Sequence, residues 1–153
     1  MYPTVLALHS WLRWVVLIVG LVALVRGLSG WAGGRPWART DNAVSAAFVG
    51  VLDIQLLLGL LLYAWLSPIT WMAFSDMAGA MRNSMLRFWA VEHLFGMLIA
   101  IAVAHVGRAR LRRAPVDARR HRTVMISVGI ALLIMLVTIP WPGMPYARPL
   151  LRW

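Results

Sequence analysis

The stretch Arg87 to Arg110, RFWAVEHLFGMLIAIAVAHVGRAR, decides the fold. Between its flanking arginines it has the length and apolarity of a bilayer-crossing helix. About 20 apolar residues rising ~1.5 Å each match a hydrocarbon core of about 30 Å. Glu92 and His93 stand one to two turns inside its first end, and His105 stands near its far end. An ionisable group at the centre of such a helix costs roughly 2.5 to 3.5 kcal/mol to insert, so groups at these depths point first to function.

Working outward, three more apolar stretches accompany it. The expected spans are residues 5–25, 43–66, 86–107 and 123–139, forming one domain over residues 1–153. This predicts an all-α integral membrane protein, a four-transmembrane-helix up-down antiparallel bundle. The first span lacks a basic leader and a small-residue cleavage site and is too long for a signal peptide, so it reads as a retained helix. Gly27 to Asn42, with its glycines and Pro36, reads as a loop. Ser67 to Met85 reads as a polar connection holding a short interfacial helix. There is no internal repeat, no Gly-rich phosphate loop and no soluble domain in the pattern.

Composition agrees. Of 153 residues 61% are hydrophobic and only 13% charged, with a mean hydropathy of +0.76, more apolar length than one globular core of this size needs. The net charge of +10 is all arginine. In a soluble protein that balance would suggest nucleic acid. Here the arginines fall in loops beside apolar spans, where topology and anionic lipid headgroups account for them, and no nucleic-acid partner is expected. Without cysteine there is neither a disulfide framework nor thiolate metal chemistry.

The arginines also orient the chain. The first and third connections carry ten of them between Arg26 and Arg122, whereas the N-terminus and the middle connection hold almost none. The positive-inside rule then puts both termini on the periplasmic side of a bacterial inner membrane. Most tryptophans, among them Trp11, Trp14, Trp65, Trp89, Trp141 and Trp153, fall toward the outer face as an aromatic belt.

This topology selects which histidines can meet. The first and third spans run the same way, and His9 and His93 both lie roughly 6 to 11 Å below the outer boundary at ~1.5 Å per residue. His105 lies about 18 Å deeper than His93 on the same rise. Only His9 and His93 therefore combine matching depth with separate helices, the geometry for ligating one metal centre inside a bundle. Two imidazoles alone leave a bare ion under-coordinated, whereas haem b brings four equatorial nitrogens and asks only for axial ligands. Gly96, one turn below His93, is expected to clear space for a porphyrin edge. Arg13 and Arg87 are candidates for its propionates or for pairing with Glu92.

Plainer readings compete. Any membrane histidine can be a hydrogen-bonded packing residue. His105 reads as an interfacial residue, and His121, among arginines, as solvated or headgroup-facing. Asp53 and Gln55 could relay protons or bind quinone, or a protonated Asp53 could bond a neighbouring helix. Met72, Met77, Met81 and Met85 could hold Cu(I), but an apolar stripe is the preferred reading.

The segments LHSWLRW (Leu8 to Trp14), QLLLGLLLY (Gln55 to Tyr63), RFWAVEH (Arg87 to His93) and LLIMLVTIPWP (Leu132 to Pro142) resemble a family of small four-helix bacterial membrane proteins labelled cytochrome b-like. The resemblance spans nearly the whole chain and implies His9 and His93 as the shared histidines. On this reading the protein is an electron-transfer protein or subunit, exchanging electrons with a membrane quinone or a periplasmic carrier, rather than an independent enzyme. Other membrane subunits or a second copy of the chain are the expected partners within the lipid bilayer. Two alternatives stand beside it. One is an accessory subunit of a larger respiratory or photosynthetic complex, with a pigment or no redox centre. The other is a small transporter using Asp53, Glu92 and Arg13.

Overall fold

The computed structural model describes residues 1–150 and contains helices and connections but no strand among them. We label the helices α1 (Tyr2–Ala32), α2 (Arg39–Leu66), α3 (Pro68–Ser75), α4 (Met77–Arg82), α5 (Ser84–Arg112) and α6 (Asp117–Thr138). Four of them, α1, α2, α5 and α6, are long and apolar enough to cross a membrane, and they form an all-α bundle. Adjacent pairs are α1 with α2, α1 with α6, α5 with α6 and, less closely, α2 with α5. α1 and α5 are therefore diagonal across the bundle. Apolar side chains such as Ile18, Leu21, Leu57, Phe95, Ile99 and Leu133 are exposed on its outside, as expected of a multi-pass protein solvated by lipid.

The interior is built for close approach. Ala100, Ala104 and Gly107 recur along one face of α5 and let its backbone come against α6, where a Cβ on Gly107 would overlap Ser127. Small residues at such spacing let membrane helices gain van der Waals contact that lipid cannot supply. Phe48 and Leu132 fill the space beside Gly20.

α1 is longer than the expected span. Gly27 and Gly30, read above as part of a loop, are helical and buried. A Cβ on Gly27 would stand 2.9 Å from the Met125 backbone nitrogen, and one on Gly30 would overlap the His121 ring. Here glycine marks helix-to-helix contact, and the turn begins at Gly33 and Gly34, where φ is +61° at Gly34.

The arginine-rich end is pinned by two buried groups. Asp41 accepts from Arg26 Nε, from both terminal nitrogens of Arg35 and from the Ala38 backbone N–H, each at 2.9 Å. His121 is fully buried, with Nε2 3.0 Å from the Arg35 carbonyl oxygen and its ring 4.9 Å from that of Trp37. The expectation of a solvated His121 is corrected, because α6 begins at Asp117 and carries this position into the α1–α6 contact.

At the other end the connection after α2 folds into α3 and α4, whose Ala73 and Ala80 pack with Ala90 of α5. The segment after α6 returns over α1. Arg13 Nη2 donates to the Leu150 carbonyl at 2.6 Å and Trp14 Nε1 to the same oxygen at 3.0 Å. Trp153 of the expected belt lies outside the described residues.

Candidate functional site

The cavity at this end is framed by two departures from the α-helix. Leu62–Leu66 in α2 and Phe88–Glu92 in α5 are π-helical turns. Such turns widen the helix, shift side chains around its axis and concentrate at functional sites. The two are tied together: Tyr63 Oη donates to the Ala90 carbonyl at 2.8 Å. The turn in α5 also brings Arg87 Nε to Glu92 Oε1 at 2.6 Å across an i, i+5 separation.

Between α1, α2, α5 and the end of α6 lies a cavity of about 140 Å³, open on one side. Single ligand sites commonly occupy roughly 300–1,000 Å³, so a large organic group would extend from this cavity into its open mouth. Both His9 and His93 line it, from diagonal helices, and so does Arg13. The two histidines matched by depth thus line one space. His93 Nδ1 lies 2.9 Å from the Thr138 carbonyl oxygen. Nδ1 must carry the hydrogen, leaving a lone pair on Nε2, the state that suits a metal ligand. His9 sits against Gly59, where an added Cβ would stand 3.1 Å from Cε1 and 3.7 Å from Nδ1. Gln55 Nε2 donates to the His9 carbonyl at 3.0 Å, tying α2 to α1 at this level.

Three side chains on the cavity wall carry a buried polar atom with no protein hydrogen-bond partner: His9 Nδ1, Gln55 Oε1 and Trp89 Nε1. Buried donors and acceptors are nearly always satisfied, so three such atoms around one space mark a place for a ligand or water. Among the described residues no group of three or more His, Asp or Glu side chains is gathered as a bare metal ion would require.

Two expectations for this site are corrected. Gly96 does not face the cavity. It faces α6, where an added Cβ would overlap Thr138, so its missing side chain admits a helix. Arg87 is absent from the cavity lining, so its propionate role is set aside, and of the two pairings open to Glu92 the one with Arg87 is formed and the one with Arg13 is not.

Thr138, which holds His93, and the wall residue Arg148 escaped the sequence reading. Thr138 could have been found by extending the depth argument to the outer end of the fourth span. Arg148 gives no local signal: it arrives because the chain folds back after α6, setting its guanidinium 4.9 Å from the Trp89 ring centroid. Tyr146 stacks on Phe88 at 3.7 Å in the same fold-back. The exposed Met72, Met77, Met81 and Met85 lie outside the cavity lining.

A second polar contact lies on the α2–α5 seam. His105 Nε2 is 2.8 Å from Asp53 Oδ1, and both side chains are about half exposed although Asp53 is mid-span. His105 is thus an interhelical partner, and the reading of Asp53 bonded to a neighbouring helix describes the contact. Nearer the helix end, Arg108 Nη1 donates to Asn42 Oδ1 at 2.9 Å.

No family model, curated protein or solved structure matches this chain. The functional reading therefore rests on the geometry of the site.

Proposed function

We propose that this is a membrane electron-transfer protein or subunit whose cavity holds one haem b between His9 and His93. The observation that carries this reading is the convergence of two histidines from diagonal helices on one cavity, with the His93 tautomer set by the Thr138 carbonyl. The chemistry of the wall fits. His9 has an unpartnered ring nitrogen, the surroundings are apolar, and Arg13 and Arg148 line the cavity as cations for two propionates. When bound, haem would supply one-electron chemistry at an iron whose potential the axial ligands and burial tune.

The chain's own residues do the rest. Thr138 fixes the His93 ring, Gly59 leaves space for the His9 ring, and Leu6, Leu17, Leu52, Leu56 and Leu94 make the wall largely apolar. His9 and His93 would both hold the group through ring nitrogens, which favours electron transfer over oxygen chemistry. The arginine distribution supports a bacterial inner-membrane location with both termini periplasmic, so that the site faces a periplasmic carrier or quinone in the outer leaflet. The half-exposed Asp53–His105 pair at membrane depth favours a covering partner, either a second copy or another subunit.

The reading is tested by the visible spectra of His9→Ala and His93→Ala. Each should abolish or alter the haem bands, while His105→Ala should leave them intact. Unchanged bands in His93→Ala would rule the site out.

A further inference from the structure

At the opposite end of the bundle, arginines converge on a second cleft. It lies between the end of α5 and the start of α6, measures about 480 Å³, and is lined by Arg110, Arg113, Arg119 and Arg122 with Thr123 and Ile126. Helical spacing explains the convergence. Arg110 and Arg113 stand one turn apart near the end of α5, Arg119 and Arg122 one turn apart near the start of α6, and the short turn between the helices sets the pairs against each other.

The chain supplies no counter-charge. No acid lines the cleft, and none of the four guanidiniums has a side-chain partner among the described residues. Two neighbouring arginines outside the cleft differ: Arg108 donates to Asn42, and Arg120 to Asp117 and the Ala114 carbonyl. The Thr123 hydroxyl donates to the Arg119 carbonyl at 2.7 Å, leaving the guanidiniums as the cleft's donors. Four cations held together without an anion repel one another, and each presents a planar fork suited to two phosphate oxygens.

The cleft opens onto apolar surface. Ile126 lies in its wall, and Ile126, Ile130 and Val106 are 43%, 44% and 49% exposed. Val106 is one turn from Arg110, and Ile126 one turn from Arg122, in each case toward the membrane interior. A ligand that places phosphate among the arginines and hydrocarbon along this rail uses both features. A soluble polyphosphate uses only the first.

We propose that this cleft is a specific site for an anionic phospholipid bearing two phosphodiesters, one for each arginine pair, with its acyl chains along Val106, Ile126 and Ile130. The site is independent of the haem reading.

The test is native mass spectrometry of the full-length protein in detergent, titrated with diphosphatidylglycerol, phosphatidylglycerol or phosphatidylcholine. Wild type should retain one diphosphatidylglycerol in preference to the others. At about fivefold per arginine beside an anionic headgroup, R110Q/R113Q and R119Q/R122Q should each weaken retention about 30-fold. R39Q/R112Q removes the same charge outside the cleft and should change it less than about threefold on the same scale. Equal loss in that control would reduce the site to diffuse surface charge. Equal retention of phosphatidylglycerol would overturn the two-phosphate assignment, and displacement by pyrophosphate at similar concentration would overturn the lipid. Wild type also needs no variant for a second reading: diphosphatidylglycerol should raise its melting temperature above that in phosphatidylcholine, and no difference would contradict the proposal.

Discussion

Gly30→Ala is the sharpest probe of how the bundle is held at its arginine-rich end. The added methyl would overlap the ring of His121, which is fully buried, faces Trp37 at 4.9 Å and bonds the Arg35 carbonyl at 3.0 Å. The ring has nowhere to go unless α1 and α6 separate or that hydrogen bond breaks. Overpacking of this kind costs about 1–3 kcal/mol, and the lost bond adds about 1 kcal/mol. Alanine's better helix propensity returns about 0.5–1 kcal/mol. The net is a loss of about 2 kcal/mol, or about 4–8 °C in melting temperature for a chain of this size. Thermal unfolding in detergent, followed by circular dichroism, reads it. His121→Ala should also destabilise, but the double variant should be at least about 1 kcal/mol better than the sum of the singles, because the methyl then meets empty space. A Gly30→Ala protein within about 0.5 kcal/mol of wild type, or strict additivity, would refute this reasoning.

Two further substitutions test the two ends of the molecule. Asp41→Ala removes the acceptor shared by Arg26, Arg35 and the Ala38 N–H and should cost about 2–4 kcal/mol in the same unfolding assay, since hydrogen bonds to a charged buried group are each worth about 1.5–3 kcal/mol before compensation by water. Gly59→Leu would fill the space beside His9, whose Cε1 already stands 3.1 Å from a hypothetical Cβ. At about 1–3 kcal/mol of obstruction it should lower the haem-to-protein ratio about tenfold, while Gly50→Leu, at a position with open space around it, should not.

What could be read from the sequence divides along physical lines. The four spans were legible because apolar length is a one-dimensional property that the bilayer imposes directly. That His9 and His93 stand at one depth, lining one cavity, was legible for the same reason, since topology and rise per residue give depth without any knowledge of packing. What depends on packing was not. Gly27 and Gly30 carry the same letters as turn glycines, and only the approach of α6 shows that they are contact surfaces. Gly96 has the right spacing from His93 but the wrong azimuth. His121 sits among arginines in the sequence, yet a helix beginning at Asp117 turns it inward. The Arg87–Glu92 pair was one of two pairings open in the sequence, but the π-turn that forms it was announced by no local pattern, and Arg148 reaches the cavity only because the chain doubles back after Pro140.

The central claim, one haem b held by two histidines, is tested most directly by the visible absorption spectrum and haem content of the purified wild-type protein. The purified protein should carry about one haem b per chain and show a six-coordinate low-spin spectrum in both oxidation states. A folded protein that stays colourless after expression with excess haem, or one whose spectrum shows an open coordination position, would contradict it.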